Sequence, residues 1–281
     1  MPRLTPRGLS RGLAQRLGWV PVFGPGPVPT CPPGWRTGPP DFVGVGAQKA
    51  GTTWWRSLIG AHPDVVLGER KELHYFSDYW RLEFSNEDAE RYHRYFPRPE
   101  GALCGEWTPR YMSDFWTPDL LARAAPDAKI LVLLRDPVAR YRSGLTASLA
   151  GVFPPFHPDV AQEAMERGLY ADQLERLLAA FAREQVLLLQ YEVCRVNVVS
   201  ELARTYRFLG LDDSFMPDGA EEVINRTEDK VEVPDETRKR LAVLYRNDVI
   251  RLAEAFPEID VTLWPPFTDL APQSRAPSPY V

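Results

Sequence analysis

The sequence predicts an α/β fold, a three-layer sandwich with a central parallel sheet between two layers of helices. Three observations predict it. Short apolar runs of strand length recur along the chain, the clearest being Lys129-Ile-Leu-Val-Leu-Leu134, continuous enough to be buried on both faces of a parallel sheet. Helical patterns alternate with these runs, as they must when parallel strands are joined by crossovers. The first run, Asp41-Phe-Val-Gly-Val-Gly46, feeds a glycine-rich turn that opens a helix.

Taken in order, the elements are a strand at 42–46 and a helix at 52–60 carrying Trp54 and Trp55. A short strand near 64–67, a strand near 103–106 and a helix near 118–124 follow. The buried strand 129–134 leads into a helix at 137–149, with Asp136-Pro137 reading as its cap and first residue. A helix at 169–183, a strand at 186–190 and helices at 198–209 and 235–255 complete the body. Residues 151–167, with Phe153-Pro-Pro-Phe-His-Pro158, break regular structure and read as a lip over the site. Ligands in such folds sit at the carboxyl ends of the strands, where Lys49, Glu106 and Arg135 all follow strand runs.

The turn Gln48-Lys49-Ala50-Gly51-Thr52-Thr53 has the chemistry of a phosphate cradle: convergent backbone N–H groups, a helix N-terminus, hydroxyls and an ammonium. A triphosphatase loop reads G-x-x-x-x-G-K-[ST]; here Gly46 and Gly51 keep the spacing, but Thr52 stands where that lysine belongs. The ligand expected is therefore phosphorylated, but not ATP or GTP. The strand 129–134 ends in Arg135 rather than in a carboxylate suited to magnesium, and Arg135 with Ser143 would hold a second, separate phosphate. Two rival readings share this loop, a small-molecule kinase using ATP and magnesium, and a nucleotide-binding protein without catalysis.

Together these segments resemble the sulfotransferases that use 3′-phosphoadenosine 5′-phosphosulfate (PAPS), a family with a P-loop NTPase-like fold. The resemblance is nearest to the heparan-sulfate-type and related bacterial members. It extends to His62-Pro-Asp-Val65, Lys71-Glu-Leu-His-Tyr-Phe76, Gly105-Glu-Trp-Thr-Pro-Arg-Tyr111 and Phe208-Leu-Gly-Leu211, and spans residues 41 to about 264. It implies that Lys49, Ala50, Gly51, Thr52, Thr53 and Trp54 bind the 5′-phosphosulfate, with Lys49 stabilising the leaving phosphate. Arg135 and Ser143, with Arg226 from a basic loop, would bind the 3′-phosphate. Glu72 is implied as the general base, with His74 beside it; if the segment is extended, residues two apart face the same way. No metal is required, and the product would be 3′,5′-diphosphoadenosine (PAP). The heparan-type enzymes carry a lysine where this chain has Trp107. That departure, with Tyr75, Phe76, Tyr79, Trp80, Tyr111, Phe115 and Trp116 nearby in sequence, predicts an aromatic-rich acceptor site. Glu106, Trp107, Tyr75 and Phe76 are its expected substrate-binding residues. The expected acceptor is small and partly apolar or glycosylated, presenting a hydroxyl or amine.

Composition sets bounds. With 281 residues, 44% hydrophobic and 25% charged, the chain can bury a large core, read here as a single domain from 41 to 281 behind a Pro/Arg-rich extension at 1–40. That extension holds five arginines and no acid, so the rest carries 28 basic against 38 acidic residues, which argues against nucleic acid as a partner. Arg3, Arg7 and Arg11, with Leu9, Leu13 and Leu17, allow a short amphipathic helix that could touch a membrane surface; Pro21 to Pro40 reads as a linker. No apolar run has the length of a membrane span and the N-terminus lacks a secretory apolar core. With the resemblance, this leads to the expectation of a bacterial, cytoplasmic enzyme of secondary metabolism. Cys31, Cys104 and Cys194 form no metal or redox motif and read as reduced thiols.

Overall fold

A computed structural model describes residues 24–68, 70–149, 158–220 and 231–270. Five strands, β1 (Phe42–Gly46), β2 (Val65–Leu67), β3 (Leu103–Trp107), β4 (Lys129–Leu134) and β5 (Val186–Gln190), form one sheet in the order β2-β3-β1-β4-β5. Every neighbouring pair is parallel, as the alternating pattern predicts. The helices are α1 (Thr52–Gly60), α2 (Asn86–His93), α3 (Thr117–Ala124), α4 (Pro137–Leu149), α5 (Pro158–Glu166), α6 (Tyr170–Ala180), α7 (Tyr191–Val196), α8 (Val198–Leu209) and α9 (Asp235–Ala255). β1 lies at the centre, and the chain winds to β3 on one side and to β4 on the other, so the switch point falls at the end of β1.

The strands are apolar throughout because the sheet is covered on both faces: β1 and β5 are buried along their whole length. Gly44 in β1 is needed for close approach, since a Cβ there would lie 2.0 Å from the Trp107 ring. On α1, Trp55 packs edge-on to Trp54 and donates its indole N–H to Thr205 of α8 at 3.2 Å, while Tyr206 donates to the Leu58 carbonyl at 2.8 Å. Large side chains thus fix α1 against α8, and with it the loop that α1 begins.

Several segments depart from the sequence expectation. The 151–167 segment is not irregular throughout, because α5 occupies Pro158–Glu166. Pro158 sits at the first helical position, where a missing N–H costs nothing. α2 starts from a capping box in which Ser85 accepts from the Asp88 N–H and the Asp88 carboxylate accepts from the Ser85 N–H. The Pro/Gly lead is also no simple linker. From Gly24 onward it lies against the body: Arg70 donates to the Gly24 carbonyl at 3.1 Å, Tyr95 to Gly26 at 2.7 Å and Arg98 to Pro39 at 2.9 Å. The expected N-terminal helix, Arg226 and the first part of the expected lip, 151–157, lie outside the described residues. All three cysteines are free, and burial pushes the Cys104 thiol up to about 12.

Candidate functional site

The site grows from the turn between β1 and α1. Ala47 donates to the Leu133 carbonyl of β4 at 2.8 Å, tying the turn to the neighbouring strand. Lys49 then takes a left-handed conformation at φ 69°, and Gly51 another at φ 96°, where a Cβ would meet the Tyr191 ring at 2.8 Å. This sharp path brings the chain onto the N-terminus of α1, which no side chain caps and whose first turn holds no acid. The positive end of the helix is therefore left for an anion. Thr52 is buried with its hydroxyl at this end, and Thr53 is exposed.

Arg135, where β4 ends, joins the same turn. Its guanidinium donates to the Lys49 carbonyl at 3.2 Å and lies 4.7 Å from the centre of the Tyr191 ring, while the Tyr170 hydroxyl donates to the Arg135 carbonyl at 2.8 Å. Ser143 lies two turns into α4, beside Gly144, where a Cβ would sit 4.0 Å from the Lys49 side chain. Asp136 is used as a cap: its carboxylate accepts from the N–H groups of Val138 and Ala139. Burial first, then the like charges of Lys71 and Arg135, hold the Lys49 ammonium below its usual value.

Facing the turn is the strip Lys71–His74. Glu72 accepts from Lys71 at 2.6 Å on one carboxylate oxygen and pairs with the His74 Nε2 at 3.2 Å on the other. Burial alone would raise this carboxyl, but the His74 hydrogen bond and the Lys71 charge bring it down to about 2. The two side chains meet, though not through the extended segment on which the expectation rested, since His74 sits in a left-handed turn at φ 52°. The result is a carboxylate ionised at neutral pH, opposite a half-buried lysine and an anion-ready helix end.

Comparison with known proteins decides the family. The family described as Sulfotransferase domain matches residues 39–233, most of the chain. The chain belongs to the sulfotransferase family. Mouse heparan sulfate glucosamine 3-O-sulfotransferase 3A1 is 30% identical over 187 residues, 61% of this chain and 46% of that protein. The human 3-O-sulfotransferase 6 is 30% identical over 193 residues, 64% of this chain and 54% of that one. The chain thus spans about half the length of these relatives. Among solved structures, a sulfotransferase from Alicyclobacillus acidocaldarius superposes with a TM-score of 0.67 at 26% identity, covering 80% of this chain and 98% of that one.

In this member of the family, four of the residues expected to line an acceptor pocket are buried and make other contacts. Glu106 is 2% exposed and accepts from Leu73 N–H, Thr108, Tyr92 and Tyr111. Burial raises its carboxyl against those hydrogen bonds. Thr108 in turn accepts from the N–H groups of Leu73 and His74. Glu106 therefore holds the Glu72–His74 strip from beneath, as a positioning residue. Trp107 is fully buried, its ring over Gly44 and its N–H donated to the Gly46 carbonyl at 3.3 Å. Tyr75 and Phe76 are buried in an aromatic cluster with Tyr92 and Tyr111. Trp54, whose backbone N–H is the part expected at the nucleotide, packs α1 with its side chain, 1% exposed and edge-on to Tyr191. The physical reason is common to the other four: large aromatic or multiply hydrogen-bonded groups gain more by filling the core than by lining a wet cleft.

An open groove of about 390 Å³ lies alongside, between the turn holding Arg110, Phe115 and Trp116 and the elements α5 and α6. Arg110 pairs with Asp114 at 3.0 Å and with Glu163 at 3.0 Å. Arg167 reaches both Glu163 and the side chain of Gln48, the residue before Lys49. One wall of the groove, Arg167, therefore touches the turn. Sequence reasoning gave no role to Tyr191, Tyr170, Arg167 or Lys71; a lone tyrosine or arginine carries no spacing signal, and Lys71 stands in the segment Lys71–Phe76 only as the neighbour of Glu72.

Proposed function

We propose that this sulfotransferase moves a sulfuryl group from PAPS to a hydroxyl or amine of a small, partly apolar or glycosylated acceptor. One observation carries the reading: the ionised Glu72 stands opposite a turn in which Lys49, the N-terminus of α1 and Arg135 converge. The residues fit the donor, because left-handed Lys49 and Gly51 turn the backbone sharply onto the α1 N-terminus, which has no cap of its own and no acid in its first turn. Lys49, the backbone from Ala50 to Thr53 and the Thr52 and Thr53 hydroxyls would hold the 5′-phosphosulfate. Arg135 and Ser143, with Arg226, would hold the 3′-phosphate. Tyr191 would keep the Arg135 guanidinium flat on its ring.

In the transfer, Glu72 takes the acceptor proton, and His74 fixes the carboxylate's second oxygen. The acceptor's electron pair forms the new S–O bond as the bond from sulfur to the phosphate oxygen breaks. The released pair stays on that phosphate oxygen, where Lys49 offsets the charge. The groove beside Gln48 would admit the acceptor, its exposed Phe115 offering an apolar face and its paired arginines and acids offering polar contacts to sugar hydroxyls. Among the described residues no helix can cross a membrane and no cluster of three His, Cys, Asp or Glu is placed to hold a metal. The bacterial cytoplasm is the proposed setting, with secondary metabolism as the proposed context.

Calorimetric titration tests the donor. PAP should bind without magnesium, and ATP with magnesium should not; binding of ATP with magnesium and not of PAP would establish the kinase alternative. Glu72→Gln should reduce turnover by about 10²-fold or more while PAP affinity stays near the wild type.

A further inference from the structure

The cations so far given a role are Lys49, Arg135 and Arg226, all of them assigned to the donor's phosphates. A second ammonium stands at the site. Lys71 lies 2.6 Å from Glu72 and 3.4 Å from the hydroxyl of Thr52, and its charge is felt by Lys49. Its placement comes from the backbone. β2 pairs with β3 as far as Leu67 opposite Gly105; the chain then loops out and returns, so that the Trp107 N–H donates to the Lys71 carbonyl at 3.3 Å. Trp107, at the end of β3, turns its ring into the core, and the residue beside it presents a charge to the site instead.

The two contacts of Lys71 mark the two ends of the transfer. Thr52 belongs to the phosphate nest, and Glu72 is the base at the acceptor. A group moving from the first to the second passes the ammonium that touches both.

We propose that Lys71 is a further catalytic residue, a cation that sits on the oxygens of the sulfuryl group during transfer. This rests on the donor reading above. Lys71 exchanges no proton: the acceptor proton goes to Glu72, the S–O bond to the phosphate breaks, the S–O bond to the acceptor forms, and the negative charge on the non-bridging sulfuryl oxygens is held by the ammonium throughout. The pairing with Glu72 in the absence of donor gives Lys71 a second consequence. When the ammonium moves to the sulfuryl oxygens, Glu72 loses one of its two partners and becomes a better proton acceptor as the acceptor hydroxyl arrives.

PAP makes the test clean, because it keeps both phosphates and lacks the sulfuryl group. Lys71→Met preserves the apolar stem and removes the charge. It should leave the PAP dissociation constant within about threefold of wild type while lowering turnover of PAPS by about 10²-fold, the usual effect of losing one charge-stabilising donor. Lys71→Arg should recover most of the loss. To separate a direct role from one exerted through Glu72, the same substitution is made in the Glu72→Gln background. A further loss there supports contact with the sulfuryl group, whereas equal residual turnover of the single and double variants overturns it. Wild-type turnover in Lys71→Met would overturn the role of Lys71 and leave the donor reading standing, provided the wild type binds PAP. A wild type that ignores PAP would remove the donor reading and this role together.

Discussion

At the scale of single residues, the site is governed by where charge is buried. Lys49 is held below the ordinary lysine value by burial and then by two neighbouring cations, so it loses its proton at a lower pH than a surface lysine would. A bound anion favours the charged form. PAP affinity should therefore fall on the alkaline side at a pH below the ordinary lysine range, and binding there should take up a proton. Calorimetry across pH, in buffers of different ionisation enthalpy, reads both effects. In Lys49→Arg the alkaline loss should disappear, because a guanidinium keeps its proton; an identical profile would assign the titration to another group. These residues were legible in the sequence because their backbone demands were written beside them. Gly51, Thr52 and Thr53 mark the turn, and Lys49 could be placed from them alone. Glu106 and Trp107 were misplaced because a residue at a strand's carboxyl end can point either to the site or into the core, and sequence spacing does not say which.

At the scale of elements, the strands were legible because burial on both faces leaves an unbroken apolar run, as in β4 and β5. Helix α2 was missed although its capping box stands in the sequence as Ser85 and Asp88, because few apolar residues follow to give it a period. Helix α5 was hidden behind a run of prolines whose last member begins it. The junction of β4 and α4 carries its own prediction. Asp136 caps α4 but is buried, and burial together with the nearby Glu192 raises its carboxyl to about 6, against the pull of two backbone N–H groups. A carboxyl raised above its unfolded value binds a proton more readily in the folded state. Stability is thus lost as pH rises from about 4 toward 6, and the loss is complete above that range. Asparagine caps a helix as well as aspartate and carries no charge. Asp136→Asn should be more stable than wild type at pH 7.5, by on the order of 1–3 kcal/mol, and so melt at a higher temperature, with the advantage shrinking toward pH 4. Equal melting temperatures at both pH values would show that the ionised cap costs nothing here.

At the scale of the whole molecule, the anion site depends on an element far along the chain. The N-terminal N–H groups of α6 find their acceptor on α9: Asp248, 6% exposed, accepts from Tyr170 at 2.6 Å and from Ala171 at 3.1 Å. Leu169, at the cap position of α6, supplies no side-chain acceptor of its own. Tyr170, so fixed, donates to the Arg135 carbonyl, and Arg135 holds the carbonyl of Lys49. A chain of hydrogen bonds therefore runs from α9 through α6 to the turn. Removing the Asp248 carboxylate leaves two buried donors without an acceptor, which costs about 2–3 kcal/mol. Arg251, on the same helix, pairs with Asp172 and Glu175 of α6 at the surface, where solvent screens such pairs and leaves them little effect on stability. Asp248→Ala should lower the melting temperature clearly and weaken PAP several-fold, because Tyr170 no longer steadies the backbone of Arg135. Arg251→Ala should do neither. Urea melting and PAP calorimetry on the two variants separate the cases: a destabilised Asp248→Ala protein that binds PAP as tightly as wild type would show that α9 supports the fold without reaching the site.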